Sequence, residues 1–236
     1  MKLIILSITQ YKEKDGIITA ISENETVTFK VNRLLDPKSS GHILNTPLIE
    51  ADVTFSENNH KYQTFKNGGV SFSPYSANDS LTKLSILSLI QEATTRMLQD
   101  EEKYFTHKIL KRTLINIKNS QINPIILGIG YLLDLLQITG NELEFNQCVF
   151  CGSQKDIVNF SFSDGGFVCR ACSEPNLVPA LTTTQMKLFR AINRNKSECK
   201  EIIGCDEKDL IEILKKLTIY IYDSLGIKLK SANLIF

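Results

Sequence analysis

Residues 148–172 read CVFCGSQKDIVNFSFSDGGFVCRAC, and the Cys-x-x-Cys pairs at the two ends of this stretch are the strongest fold signal in the chain. Seventeen residues, 152–168, separate the pairs, which lies within the spacing typical of four-cysteine zinc sites. Two residues between cysteines let a tight turn aim both sulfurs at one ion, and two such turns complete a tetrahedron. Gly152 can take a positive φ beside the sulfur, and Gly165-Gly166 is predicted to turn the hairpin between the pairs.

The pattern predicts one structural zinc ion (Zn²⁺), with the ligands Cys148, Cys151, Cys169 and Cys172. Four thiolates fill the tetrahedron, so no coordination position remains for an activating water. A dithiol–disulfide redox pair is the rival interpretation, because a single Cys-x-x-Cys motif also serves that chemistry. The second pair at this spacing disfavours the rival. Cys199 and Cys205 lack the spacing, and we expect each to be a small apolar residue.

The composition is that of an ordinary globular protein. Of the 236 residues, 42% are hydrophobic and 22% are charged, so intrinsic disorder is not expected outside short loops. The 27 basic and 26 acidic residues leave a formal charge of +1. Because this charge gives the whole molecule no attraction for nucleic acid, such binding has to come from local clusters of basic side chains.

No export or membrane signal is recognisable in the sequence. The apolar run at the N-terminus is too short for a signal peptide and lacks a small-residue cleavage site. The most apolar later stretch, residues 125–136, falls short of the roughly 20 residues that span a bilayer. We therefore expect a soluble, cytoplasmic protein with no membrane partner, in a reducing compartment where cysteines bind metals more readily than they form disulfides.

Residues 1–78 have the period of β-strands. The segments LIILSI, GIITAIS and TVTFKV follow one another between polar turns, and Val27, Phe29 and Val31 alternate onto one face. Two further short segments, ADVTF and KYQTF, are separated by turn-forming residues. About five short strands fit a small barrel, and an OB-fold is the commonest candidate of that size. Periodicity alone does not separate an OB-fold from an SH3-like barrel.

Residues 79–147 and 173–236 have the period of α-helices. Asn123-Pro124 is a helix start signal, with a predicted end near residue 137. The pair Thr182 and Gln185 forms a capping box, and the last helix is predicted to stop at Gly226. Two apolar stripes are interpreted as core faces: Leu84, Leu87, Ile90, Ala93 and Met97, and then Phe105, Ile109, Thr113 and Ile117.

These patterns together predict an α+β multi-domain protein. An N-terminal OB-fold β-barrel over 1–78 precedes a mainly α-helical domain over 79–147 and 173–236, which carries a four-cysteine zinc knuckle as an insert at 148–172. No Gly-rich phosphate loop, nucleophile elbow or His-Glu-x-x-His metal motif is present in the sequence. We therefore predict a protein that is not an enzyme. An enzyme with a docking ribbon would instead need a pocket of convergent, perturbed titratable groups.

Four separated stretches share a pattern with one known family. They are YKEKDGIITAIS at 11–22, LLQITG at 135–140 leading into the two cysteine pairs, LFR at 188–190 and LGIKLKS at 225–231. In their order and spacing they cover nearly the whole chain. The sequence resembles the RecO family of bacterial recombination mediators.

This resemblance implies a fold and a function. The fold is an OB-barrel, a helical bundle and a zinc knuckle, which matches the division made from periodicity. The function is binding of single- and double-stranded DNA, annealing of complementary strands, and action with RecR to help RecA displace single-stranded DNA-binding protein (SSB) in recombinational repair. The resemblance implies no catalysis, and it places the protein in the bacterial cytoplasm, associated with the nucleoid.

One departure from the family bears on DNA binding. The family usually has a small, basic, glycine-led segment after the third strand, whereas residues 32–39 here read NRLLDPKS with only two basic residues. Phosphate neutralisation supplies much of the affinity of a protein for DNA, so we expect weaker, more salt-sensitive binding through this barrel. The rival function is a zinc-containing protein-interaction module with little DNA affinity. The candidate DNA-binding residues, which could also be ordinary surface groups, are Tyr11, Lys12, Lys14, Arg33 and Lys38.

Overall fold

A computed structural model of the chain describes residues 1–56, 62–119, 121–174, 178–196 and 205–236. The chain forms two compact units. The barrel unit contains Met1–Asp79 and Ala93–Asn119, and the helical unit contains Ser80–Glu92 and Ser120–Phe236. The division predicted at residues 78, 147 and 172 stays a prediction, and Cys199 lies outside the described residues.

In the described part of the barrel unit, five strands close into a barrel in the order β1-β2-β3-β5-β4. β3 and β5 run parallel, whereas the other paired strands run antiparallel. This order with its single parallel pair is that of an OB-fold, so the OB-fold prediction is confirmed and the SH3-like alternative is excluded. The strands are β1 Lys2–Tyr11, β2 Asp15–Ile21, β3 Thr26–Val31, β4 Glu50–Ser56 and β5 Gln63–Phe72.

The barrel core follows the alternation of the strands. Phe29 and Val31 are fully buried and Val27 is packed against them, as the sequence predicts. β1 pairs with β2 along most of its length and with β4 at its start. A shift of register between Ile5 and Ser7 lets this long strand curve around the barrel, because an irregularity of this kind bends the strand that carries it.

Helix α2, Lys103–Asn119, is fastened to the barrel by polar contacts. The Lys111 ammonium lies 2.7 Å from a carboxylate oxygen of Glu50 on β4. Lys118 donates a hydrogen bond of 2.7 Å to the carbonyl oxygen of Ser73, just after β5. These contacts help to explain why α2 belongs to the same compact unit as the barrel, although it follows the barrel strands in sequence.

The predicted apolar stripes are confirmed except at their first residues. Helix α1, Leu81–Met97, buries the stripe from Leu87 onward, but Leu84 is 40% exposed. In α2 the stripe is buried from Ile109 onward, but Phe105 is 56% exposed. Interpreting both residues as core was wrong, because each side chain keeps a large part of its surface in contact with solvent.

The helical unit is centred on α3, Pro124–Ile138, a helix buried on nearly every side. Asn123 caps it by accepting a hydrogen bond from the Ile125 amide, which confirms the predicted start. Helix α3 contacts α4, Thr183–Asn195, and α5, Glu207–Leu225. The capping box that opens α4 and the left-handed Gly226 that ends α5 are also confirmed.

A two-stranded hairpin completes the helical unit. Strands β6, Ile157–Ser161, and β7, Gly166–Cys169, pair antiparallel within the cysteine-rich insert. Within the described ranges, none of the helices combines the length and the hydropathy needed to cross a bilayer.

Candidate metal centre and nucleic-acid surface

The first cysteine pair lies in a tight turn that precedes β6. The Cys148 amide donates to the carbonyl oxygen of Ser153 at 2.8 Å, and the Gly152 amide donates to that of Cys148 at 2.9 Å. Gly152 has φ +72°, which confirms the predicted left-handed position after the second cysteine. The backbone therefore curls around the two sulfurs in the way a metal knuckle requires.

The second pair lies at the end of β7 and is brought back by the hairpin. Gly165 has φ +77° and makes the turn. Gly166 has another role, because a Cβ there would lie 2.5 Å from the carbonyl oxygen of Glu144. Phe167 donates its amide hydrogen to that same carbonyl at 3.1 Å. The two glycines thus serve separately: one turns the chain, and the other allows a close approach of two backbones.

Folding brings the four cysteines of residues 148–172, hereafter the cysteine knuckle, into one cluster. Their sulfur atoms all lie within 4.8 Å of one another. Sγ of Cys151 and Sγ of Cys169 are 3.6 Å apart, far longer than a disulfide bond. Four sulfurs about 2.3 Å from one ion at the corners of a tetrahedron would be about 3.8 Å apart. The cluster therefore has the size and the donor set to hold a metal ion.

Hydrogen bonds within the cluster shift the pKa values of Cys148 and Cys172 in opposite directions. Burial alone would raise the pKa of Cys148, but backbone amides of Cys169, Cys151 and Phe150 hydrogen-bond to its sulfur and lower that pKa to about 6. Hydrogen bonds with the sulfurs of Cys151 and Cys169 raise the pKa of Cys172 to about 12. Thiolates so close together repel one another, and a divalent cation would compensate them. This chemistry fits a zinc ion.

An aromatic cluster packs around Phe167, two residues before Cys169 on β7. The rings of Phe145 and Phe160 lie 5.3 Å apart, and each contacts Phe167 of β7. Phe189 of α4 lies 4.8 Å from Phe145. Cys148 and Cys169 are buried, whereas Cys151 is exposed. The buried cysteines pack with the aliphatic side chains of Val149, Ile157 and Val168, so one side of the cysteine cluster is anchored in the interior and the other faces solvent.

The candidate DNA-binding residues of the barrel come from two loops that lie side by side. The turn between β1 and β2 carries Lys12 and Lys14, and the segment after β3 carries Arg33 and Lys38; all four are exposed. The Leu35 amide donates to the carbonyl oxygen of Lys14 at 3.0 Å, which joins the loops. The structure thus brings together residues that lie about 20 positions apart in sequence.

Tyr11 lies at the edge of the same surface. The residue is 42% exposed, and the ammonium groups of Lys12 and Lys30 each lie 5.6 Å from the centroid of its ring. Lys30 was missed by the sequence analysis, although it follows the inward-facing Phe29 and so has to point outward. The strand face and the first loop of an OB-fold are where this fold binds oligonucleotides. We call this surface the barrel patch, comprising Tyr11, Lys12, Lys14, Lys30, Arg33 and Lys38.

Carboxylates are interspersed among the basic groups of the barrel patch. Asp15 accepts a 2.9 Å hydrogen bond from the Arg33 amide and lies 2.9 Å from the Lys30 ammonium, and both contacts lower its pKa. The Arg33 guanidinium hydrogen-bonds to Asp36 and lowers the pKa of that group too. Both carboxylates are therefore charged at neutral pH. They fix the loops, and they also offset part of the positive charge.

The sequence model described as "Recombination protein O C terminal" matches residues 78–233, well over half of the chain. The chain belongs to the RecO family. The match includes the cysteine knuckle but almost none of the barrel, whose identification rests on strand order.

Curated relatives that each carry the name DNA repair protein RecO extend the likeness. The one from Thermoanaerobacter sp. (strain X514) is 28% identical over 160 residues, which are 66% of this chain and 63% of that protein. The one from Halalkalibacterium halodurans is 25% identical over 190 residues, 79% of this chain and 74% of the relative. The one from Clostridium perfringens (strain SM101 / Type A) is 30% identical over 164 residues, which are 69% of this chain and 68% of the relative. The chain thus aligns with less than two thirds of the first relative's length.

Proposed function

We propose that this RecO-family chain is a non-enzymatic protein that binds single- and double-stranded DNA and anneals complementary strands in recombinational repair. Family membership supports the role in DNA repair and recombination. The observation that carries the finer proposal is the barrel patch, which contains five basic side chains and an exposed tyrosine with the ammonium groups of Lys12 and Lys30 beside its ring. It occupies the face and loop that OB-folds use for oligonucleotides.

The patch supplies what an annealing protein needs. Exposed ammonium and guanidinium groups screen the repulsion between two phosphate backbones, and an exposed ring holds an unpaired base by stacking. Contacts of this kind leave the pairing edges of the other bases open. Base-pair stacking supplies about 1.4 kcal/mol per step, so annealing requires no nucleotide hydrolysis.

The proposal extends to partners and location. In this role the chain acts with RecR to help RecA displace SSB from single-stranded DNA, in the bacterial cytoplasm and associated with the nucleoid. The proposal of RecR, RecA and SSB as partners is supported only by the likeness to the RecO family. The barrel patch supports only the contact with DNA.

The proposal also includes one structural zinc ion bound by the cysteine knuckle. Its support is the sulfur cluster, with four donors of one kind within 4.8 Å of one another. Such an ion cross-links the turn at Cys148 to the end of β7 and takes no part in a reaction. Elemental analysis of the purified protein should give about one zinc per chain.

A second candidate function is a zinc-containing protein-interaction module with little DNA affinity. It is favoured by the carboxylates in the patch region, where residues 11–15 and 30–38 hold five basic and three acidic side chains. The resulting charge of about +2 is modest for a surface that binds a polyanion.

A fluorescence-quenching annealing assay separates the two functions. Complementary strands, bare or coated with SSB from the same cell, are mixed with the protein at low and at physiological salt without ATP. We expect faster annealing than without protein, and a loss of that gain when Lys14, Arg33 and Lys38 are replaced by alanine together. Lys187→Ala is the matched control, because Lys187 is an exposed lysine on α4. If the annealing rate with the protein equals the rate without it at both salt concentrations, and RecR does not co-migrate with the protein, the function is that of the protein-interaction module.

A further inference from the structure

The four cysteines of the knuckle differ in their access to solvent. Cys148 is 1% exposed and Cys169 is 3% exposed, whereas Cys172 is half-buried and Cys151 is exposed. The next residue, Gly152, is exposed as well, and a Cβ built there would meet one described atom outside its chain neighbours, at 3.9 Å. Small solutes therefore have access to the knuckle on the side of Cys151.

A buried sulfur lies next to the exposed one. Sγ of Cys169 is 3.6 Å from Sγ of Cys151, and the two cysteines belong to different Cys-x-x-Cys pairs. A disulfide bond is about 2.05 Å long, so the two sulfurs would have to approach by about 1.5 Å to form one. Rotation of the exposed Cys151 side chain can supply a movement of this size.

The knuckle with zinc bound holds these sulfurs in a reactive form. Coordination keeps each ligand cysteine as a thiolate, and the thiolate is the form of cysteine that attacks oxidants. Zinc itself has no redox chemistry, so any electrons given to an oxidant come from sulfur. An accessible thiolate with a second thiolate in reach has the elements of a reversible oxidation site.

We propose that Cys151 is a modification site for peroxides, at which oxidation leads to a disulfide with Cys169 and to release of the zinc ion. The proposal rests on the zinc binding proposed above and extends it by a chemical response. It differs from a catalytic dithiol, because the reduced cysteines bind the ion and the disulfide is the altered state.

The chemistry takes two steps when hydrogen peroxide is the oxidant. The Cys151 thiolate attacks one peroxide oxygen, the O–O bond breaks, and hydroxide leaves and is protonated to water, which gives a sulfenic acid on Cys151. The Cys169 thiolate then attacks the Cys151 sulfur, the S–O bond breaks, and a second hydroxide leaves as water. In sum, two thiolates, two protons and one peroxide give one disulfide and two waters.

The oxidised knuckle loses its ion but keeps a cross-link. With two of the four thiolates used in the disulfide, Cys148 and Cys172 no longer complete a tetrahedral site. The new bond joins the turn before β6 to the end of β7, which are the segments that the ion joins in the reduced protein. A dithiol reductant can return two electrons and two protons to the disulfide, and zinc can then bind again.

Zinc release and disulfide mapping test the proposal. The zinc-loaded full-length protein is treated with hydrogen peroxide, and a chromogenic chelator records the metal set free. We expect about one zinc per chain to be released for about one peroxide consumed. Mass spectrometry of unreduced peptides should show the link between Cys151 and Cys169, and dimedone added during the reaction should label Cys151. Dithiothreitol with added zinc should restore the metal content.

Two histidine substitutions give a matched pair of variants. Three cysteines and one histidine also make a structural zinc site, so each substitution keeps a fourth donor. Cys151→His removes the accessible sulfur, and we expect this variant to retain its zinc in peroxide. Cys172→His leaves Cys151 and Cys169 in place, and it should release zinc as the wild type does. Cys205→Ser, outside the cluster, should also behave as the wild type.

The failures are distinguishable. A protein purified without zinc would contradict the zinc site proposed above. Zinc that stays bound in peroxide, with no oxidised cysteine in the knuckle, would leave the zinc site standing and overturn the inference. A disulfide between Cys148 and Cys151, or dimedone on another cysteine first, would overturn it as well. If Cys151→His does not bind zinc, the labelling and the disulfide map of the wild type decide between these outcomes.

Discussion

The cysteine knuckle and the barrel patch are each built from two chain segments, but different forces bring those segments together. In the knuckle, four sulfur atoms lie within 4.8 Å of one another, and Gly152, Gly165 and Gly166 allow the backbone conformation that brings them together. In the patch, single hydrogen bonds and ion pairs join two loops on an existing barrel. We therefore expect the knuckle to depend on each of its four cysteines, whereas the patch should lose function in small steps.

The difference also decides how each region responds to its surroundings. A metal site gains its stability from coordination bonds, and that gain disappears when the ion is removed. The patch lies in water, where salt screens each ion pair and each contact contributes little. Chelators should thus act on the first region and ionic strength on the second.

The largest expected effect is the loss of a knuckle ligand. Cys169→Ser removes a buried sulfur from the cluster, and we expect the free energy of unfolding of the helical unit to fall by at least about 3 kcal/mol, with loss of the bound zinc. Urea unfolding and elemental analysis measure the two effects.

The matched control is Cys205→Ser, since Cys205 is a half-buried cysteine outside the cluster. It should change stability by less than about 1 kcal/mol and leave the zinc content unchanged. Equal stability of Cys169→Ser and the wild type would mean that the sulfur cluster is not a structural metal site.

The next largest effect concerns the close approach of the backbone at Gly166 to the backbone at Glu144. Gly166→Ala places a Cβ 2.5 Å from the Glu144 carbonyl oxygen, and relief requires the hairpin to shift. We expect a loss of about 1–3 kcal/mol, measured by thermal unfolding. Gly69→Ala on β5 is the control, because a Cβ there meets no atom within 4 Å. Identical losses in both variants would show that the contact with Glu144 is not the cause.

The sequence predicts local features well and tertiary ones less completely. Gly152, the capping box at Thr182 and the stop at Gly226 follow from short-range rules, because each depends on residues within one turn. The exposure of Phe105 was missed, because periodicity gives the direction of a side chain and not the edge of the surface that covers it.

The candidate sites divide in the same way. The cysteine cluster could be predicted from spacing, since two tight turns are enough to define it. The proximity of Lys14 to Arg33 depends on strand pairing across the barrel, which no local pattern gives. Lys30 could have been found from its neighbours Phe29 and Val31, which both point inward.

A smaller effect tests how far the stability of the barrel unit depends on its ion pair between Lys111 and Glu50. Burial opposes ionisation of Glu50, but the hydrogen bond and charge of Lys111 and a hydrogen bond from Ser71 outweigh it and lower the pKa below its ordinary value of 4.5. A lowered folded-state pKa stabilises the fold above the unfolded value, and this stabilisation is lost as pH falls through the folded one. Glu50→Gln should therefore cost about 1 kcal/mol at neutral pH and much less near pH 3.

Urea unfolding of the wild type and Glu50→Gln at both pH values gives the comparison, with Asp52→Asn as the control. Asp52 is the exposed carboxylate two residues further along β4. A cost of Glu50→Gln that is the same at neutral pH and near pH 3 would assign the effect to packing and not to charge.

The smallest effect should come from single charges of the barrel patch, and its sign is what matters. Arg33→Ala removes a cation that DNA phosphates can contact, so binding of single-stranded DNA should weaken about threefold at physiological salt and its salt slope should fall by about 0.7. Asp36→Asn keeps the shape of the side chain but removes the charge that pairs with Arg33, so binding should strengthen by a similar factor. Neither change should alter the zinc content, because the knuckle belongs to the other unit.

Fluorescence anisotropy across a salt series measures both variants. If both weaken binding alike, Asp36 contributes by fixing the loop through its hydrogen bond from the Lys38 amide, and the patch depends on geometry more than on net charge.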